Sequence, residues 1–246
     1  MSILRSLPAE APDRRPAGAG ELREWADGIW IAEAPLRFHG IPFGARMTVV
    51  RLADASLLLH SPIALSSTLR ARLDALGAVR HIVAPNKLHH LYLGAALAAY
   101  PQARLHVPPG LAAKCPEFGS GEPLADAPPL AWSSVLDQLI VRGSRAMQEV
   151  VFLHRASRTL IVADLCEHFG AHSPPLTRAV ARIARMYARP RMPPDWQWSF
   201  SDHAARRASF ERLLGWDFDR VILAHGALLT SGAKAVFRRE YAWALA

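Results

Sequence analysis

Val79-Arg80-His81-Ile82-Val83-Ala84-Pro85-Asn86-Lys87-Leu88-His89-His90-Leu91-Tyr92-Leu93-Gly94 reads as a strand that gives way to a loop and then a helix. Its first six residues are nearly all apolar, the type of strand that lies inside a sheet covered on both faces. Two adjacent imidazoles, His89 and His90, follow the strand end, a place where folds of alternating strands and helices build sites. Two later segments end in the same way: Leu160-Ile161-Val162-Ala163-Asp164 and Val221-Ile222-Leu223-Ala224-His225-Gly226. Three apolar strands ending in His, Asp and His point to one metal site assembled from distant segments. Imidazole and carboxylate suit Zn²⁺, Fe or Mn.

Upstream, the apolar runs predict strands over 28–34, 46–52 and 56–62, with Asp54-Ala55 as the turn between the last two. Ser66-Ser67 offers an N-cap for a helix to Leu76, and Gly77 ends it. Downstream, a helix is expected over 91–100 and a strand over 103–107. A long surface loop covers 111–130, and strands return at 136–141, 149–154 and 159–164. Pro174-Pro175 opens a helix through Arg189. Ser201 or Asp202 caps another through Leu214, and the last strand, 220–224, precedes a C-terminal helix over 232–245. This order implies an α/β sandwich with sheets inside and helices outside. Residues 1–22, rich in Pro, Ala and Arg, read as a flexible lead-in, and 23–246 as a single domain.

The chain has 246 residues, 51% of them hydrophobic, enough for a full core. No apolar run reaches the roughly 18 residues of a membrane span. Cys115 and Cys166 make no disulfide framework, so a reducing, cytoplasmic setting is expected. The net charge of +8 would suit anionic partners. Arg carries nearly all of it, with Lys only at Lys87, Lys114 and Lys234, which reads as compositional bias rather than a polyanion site. A small-molecule ligand is therefore expected and nucleic acid is not. The oligomeric state is left open.

The three stations, in this order, resemble the metallo-β-lactamase fold superfamily over roughly residues 25–245. The loop wording, with Tyr100-Pro101-Gln102-Ala103-Arg104-Leu105 after it, is similar to a bacterial branch described as a domain of unknown function. The resemblance implies an αββα four-layer sandwich and a hydrolase-like site. In the superfamily the loop reads H-x-H-x-D-H-x-G. With Gly94 on the motif Gly, Lys87 stands at the first His, His89 at the second, Leu91 at the Asp and Tyr92 at the third His. A charged Lys has no lone pair to give a metal. The further His expected within 142–148 is absent. The ligands that remain are His89 or His90, Asp164 and His225.

Two functions stay open. One is a mononuclear metal-dependent hydrolase with one Zn, Fe or Mn ion, its substrate unassigned and an anionic one among the options. The other is a metal-free, non-catalytic binding or scaffolding protein that keeps the fold. Lys87, Tyr92, His168 and Arg182 are candidate substrate-binding residues. Arg178, Arg182, Arg185 and Arg189 are expected as one stripe on the helix after Pro175, with Val180, Ile183 and Tyr187 as its buried side. Cys166, His168 and His172 form a second, weaker ligand pattern. G-x-S-x-G, a P-loop and G-x-G-x-x-G are all absent, which excludes serine-hydrolase and common nucleotide-binding readings.

Overall fold

A computed structural model describes residues 20–246, so most of the expected lead-in lies outside the described residues. Leu22, inside that expected lead-in, opens the first strand. The first sheet begins with β1 (Leu22–Ala26) and β2 (Ile29–Ala34), followed by a small separate hairpin, β3 (Arg37–Phe38) and β4 (Ile41–Pro42). Then come β5 (Ala45–Arg51), β6 (Leu57–His60), helix α1 (Ser67–Leu76), β7 (Val79–Val83), α2 (Leu93–Ala99) and β8 (Arg104–Val107). The segment expected to be loop instead holds α3 (Leu111–Lys114), a 3-10 turn and β9 (Glu122–Pro123). The second half supplies β10 (Leu136–Val141), β11 (Glu149–His154), β12 (Thr159–Ile161), α4 (Pro175–Ile183), α5 (Pro194–Trp198), α6 (His203–Gly215), β13 (Arg220–Ile222) and α7 (Ala233–Glu240).

The first sheet runs β1-β2-β5-β6-β7-β8-β9 and the second β10-β11-β12-β13. Alternation along the strands explains the layering. On β11, Val150 and Phe152 join Val50, Leu58 and Val83 between the sheets, while Val151 and Leu153 face Phe210, Leu213 and Phe237 of α6 and α7. On the other side, Ile82 and Val49 pack against Leu69 and Leu73 of α1 and Leu93 of α2. Each central strand thus buries both faces, which is why it reads as a continuous apolar run. The result is a four-layer αββα sandwich. Each fully buried side chain such as Phe152 contributes about 1.5–3 kcal/mol.

The caps form as the sequence predicts. Ser66 Oγ accepts from the Leu69 amide, and Asp202 from the Ala205 amide. The helix expected to run to Arg189 ends at Ile183. There the amides of Met186 and Tyr187 both bond the Ala181 carbonyl, Arg185 and Ala188 take positive φ, and the Ala188 amide turns back to Phe169. The four-arginine stripe therefore does not exist. Only Arg178 and Arg182 lie on α4, and Arg189 pairs with Glu240 at 2.7 Å. Nor is Ile183 on a buried side; it is 84% exposed, and the buried positions are Thr177 and Ala181.

Candidate metal centre

Three strand ends meet where the two sheets abut. β12 and β13 pair in parallel, so Asp164 and His225 emerge side by side, while β7 delivers its loop from the other sheet. The Val150 amide binds the Pro85 carbonyl at 2.8 Å and ties that loop across the junction. Asn86 then shapes it. Its side-chain oxygen accepts from the amides of Leu88 (2.8 Å) and His89 (3.3 Å), a turn that Asn favours because its short amide mimics backbone. Its Nδ2 donates to Glu149 Oε2 (2.8 Å) and Asp164 Oδ2 (2.9 Å). One fully buried side chain thus sets both the loop and the carboxylate.

Asp164 Oδ1 lies 3.2 Å from His89 Nε2 and 3.3 Å from His225 Nε2. The three donor atoms are all within 4.8 Å of one another, and among the described residues they are the group of His, Cys, Asp or Glu that converges in this way. Tetrahedral coordination at about 2.0–2.1 Å places neighbouring donors roughly 3.3 Å apart, so both Asp–His spacings match an edge of such a site. His225 Nδ1 donates to the Gly44 carbonyl at 2.7 Å, which turns its Nε2 toward the cluster. His89 Nδ1 is 2.6 Å from Ser61 Oγ. Such outer hydrogen bonds fix ring orientation in metal sites. The donor chemistry and spacing therefore fit one divalent ion.

The supports lie deeper. Glu149 is fully buried and accepts from the amides of Ala163 and Asp164 at 2.8 Å each and from Leu165 at 3.2 Å. Arg46, ion-paired with Glu33 at 2.8 Å, donates to the carbonyls of Leu223 and Gly226, which flank His225. Gly226 has φ +97°, and a Cβ there would sit 2.0 Å from the His168 carbonyl oxygen, so only Gly fits. Burial raises the Asp164 carboxyl, but the charges and hydrogen bonds of His89 and His225 outweigh that and hold it well below the usual range. Burial opposes protonation of His225, yet its bond to Asp164 raises it overall. Burial, then the Asp164 charge, pushes Glu149 up to about 7.

The cluster forms part of the wall of a cavity of about 550 Å³ lined mostly by apolar side chains, among them Phe43, Phe169, Met186 and Trp196. Tyr92 and His90 line it too. His90 is not one of the convergent three, since its Nδ1 meets the Lys87 carbonyl at 3.1 Å. Lys87, His168 and Arg182 are not among the lining residues. The Lys87 stem runs beside Gly110, and Arg182 stacks on the Tyr187 ring at 4.0 Å. The cations that do line the cavity are Arg37 and Lys114. Glu167 lines it as well, and burial pushes its carboxyl up to about 8. The Cys166-His168-His172 pattern does not assemble: the segment is not helical, and Glu167 and His168 instead bridge to Arg191 and Gly226. Cys166 is buried and in no disulfide with a described residue.

Sequence reasoning missed Asn86, Glu149, Ser61 and Arg46. Asn86 stands inside the quoted motif loop, where an Asn after Pro signals a side-chain turn. The other three carry no local signal.

A profile of the family described as "Domain of unknown function (DUF4336)" matches residues 26–113. No curated protein sequence matches the chain. Among solved structures, a metallo-beta-lactamase from Pontibacter korlensis is similar at 14% identity, with 89% of this chain and 98% of that chain covered and a TM-score of 0.57. The mono-zinc form of the metallo-beta-lactamase FIM-1 from Pseudomonas aeruginosa is similar at 12% identity, with 92% of each chain covered and a TM-score of 0.57. The Flv1 flavodiiron core from Synechocystis is similar at 14% identity, covering 91% of this chain and 60% of that one, with a TM-score of 0.63. At these identities the likeness concerns the fold.

Proposed function

We propose that this chain, which has the metallo-β-lactamase fold, is a mononuclear metal-dependent hydrolase of a small molecule. The observation that carries the reading is the convergence of His89, Asp164 and His225 in the wall of a mostly apolar cavity. Three protein ligands and an open position make a working catalytic set. Lys87 and Leu91 stand where the motif would have further ligands, and among the described residues no second group of donors converges. When bound, the ion would polarise a carbonyl or phosphoryl oxygen and acidify a water.

The chain's own residues do the rest. Ser61 and the Gly44 carbonyl hold the two imidazoles in orientation. Asn86 and Glu149 hold Asp164. Arg37 and Lys114 offer charge to an anionic group of the substrate, in place of Lys87 and Arg182. Glu167 adds to the cavity wall a carboxyl whose proton affinity burial raises. A second reading has its own support: Asp164 lies within hydrogen-bond reach of both imidazoles, an arrangement that also satisfies a metal-free binding protein.

The test is a panel of chromogenic esters, a lactone and a phosphodiester, assayed after reconstitution with Zn²⁺, Fe²⁺ or Mn²⁺. The hydrolase reading expects metal-dependent turnover that Asp164→Asn lowers by about 100-fold or more. Equal rates for the two proteins with all three metals would leave the binding-protein reading standing.

A further inference from the structure

The loop and helix on one side of the cavity carry a feature that substrate chemistry does not require. Residues 174–194 contain five arginines and no Asp or Glu. Arg189 is paired with Glu240, and Arg191 binds Gln197 Oε1. Arg178, Arg182 and Arg185 form no ion pair with a described residue. On the same helix α4 exposes Leu176 (51%), Ala179 and Ile183 (84%). At about 100° per residue these three fall within roughly 60° of one another, on the side of α4 away from buried Thr177 and Ala181. Arg178 and Arg182 follow one edge of that stripe. Beside it stands the β3–β4 hairpin, tied to α4 by the Thr177 hydroxyl on the Pro42 carbonyl, with Phe38 exposed near its tip.

We propose that this surface is a peripheral docking site for an anionic phospholipid bilayer. A short basic helix with an outward apolar stripe sits at the headgroup boundary, its arginines on phosphates and its aliphatic side chains among the upper acyl carbons. The charge favours this occupant over a second copy of the chain, because a two-fold dimer through this face would set the arginines against their own images. The proposal does not depend on the metal centre or on catalysis. It seats α4, and the cavity that α4 helps to wall, against the lipid headgroups. No described helix is long and apolar enough to cross a membrane, so the contact is one of surface binding.

The experiment is co-sedimentation of the full chain with vesicles of phosphatidylcholine alone and of phosphatidylcholine doped with phosphatidylglycerol. The doped vesicles are expected to retain the protein and the neutral ones to release it. Arg178→Ala with Arg182→Ala should weaken partition roughly thirtyfold, about fivefold per charge beyond screening. Ile183→Asn with Leu176→Asn should remove the part of binding that survives high salt. Leu130→Asn, an equally exposed apolar site elsewhere, should change nothing. All are surface positions, and circular dichroism verifies that each variant is folded. Absence of binding to doped vesicles overturns the proposal. So do equal binding to neutral vesicles, an Ile183 and Leu176 variant that binds like wild type, and a stable dimer that the same variant dissociates.

Discussion

Asn86 offers the sharpest test of how the site is held. Replacing it with Ala removes two charge-assisted hydrogen bonds, to Glu149 at 2.8 Å and to Asp164 at 2.9 Å, and the acceptor for the Leu88 amide at 2.8 Å. Charge-assisted bonds contribute about 1.5–3 kcal/mol each and a neutral one about 1 kcal/mol, so the loss sums to about 4–7 kcal/mol. That is a large fraction of a typical folding stability of about 5–15 kcal/mol. Asn86→Asp separates donor chemistry from shape. It keeps the size and the acceptor for Leu88, but places a third carboxyl against Glu149 and Asp164. If Asn86 acts by donating, Asp is at least as damaging as Ala; if it acts by filling space, Asp is mild. Urea denaturation followed by circular dichroism reads the difference. An Asn86→Asp variant within about 1 kcal/mol of wild type refutes the reasoning.

Two further predictions concern stability. Gly226→Ala should cost about 3 kcal/mol or more, because φ +97° disfavours a Cβ and the His168 carbonyl occupies its place; calorimetry should show Tm lower by roughly 6–12 °C, and an unchanged Tm contradicts the stated clash. Two buried histidines should make part of the stability depend on pH well above the carboxylate range. Burial, with a lesser push from His89, lowers His60 to about 3, and burial, aided by His81, lowers His106 to about 4. Below the unfolded value near 6.5 the unfolded chain binds protons that the native chain refuses. These two imidazoles therefore contribute stability that is fully present above about pH 6.5 and falls by up to about 2.7 kcal/mol per unit toward pH 4. Glu149 near 7 and Glu167 near 8 keep protons the unfolded chain has lost above about 4.5 and oppose that slope over the same window. Urea midpoints of wild type and His106→Gln across that window isolate the His106 share: the stability difference between the two should change by up to about 1.4 kcal/mol per pH unit, and a difference that does not vary with pH rules the account out.

The three strand ends were legible because each is a local pattern, an apolar run broken by a ligand-type residue. So were the caps at Ser66 and Asp202, which depend on neighbours three residues away. What holds the ligands was not legible, since it is long-range. Asn86 reaches Glu149 and Asp164 across 63 and 78 positions, and Arg46 reaches Gly226 across 180. An Arg inside a strand pattern looks like an edge residue until the partner carbonyls arrive. The stop of α4 at Ile183 was hidden for the same reason. Helical spacing continues through Tyr187, but the Phe169 carbonyl draws the chain back at Ala188. Ile183, the last residue of α4, is exposed because it lies on the side away from buried Thr177 and Ala181.

Elemental analysis of the chain purified without chelator, then reconstituted and desalted, addresses the central claim that His89, Asp164 and His225 hold one ion. Copurifying or readily reloaded metal is normal for structural and catalytic sites. The expected result is close to one equivalent of Zn, Fe or Mn, lost in His89→Ala, Asp164→Ala and His225→Ala but kept in His90→Ala. Less than about a tenth of an equivalent in the wild-type protein, or metal retained when Asp164 and His225 are both removed, contradicts it.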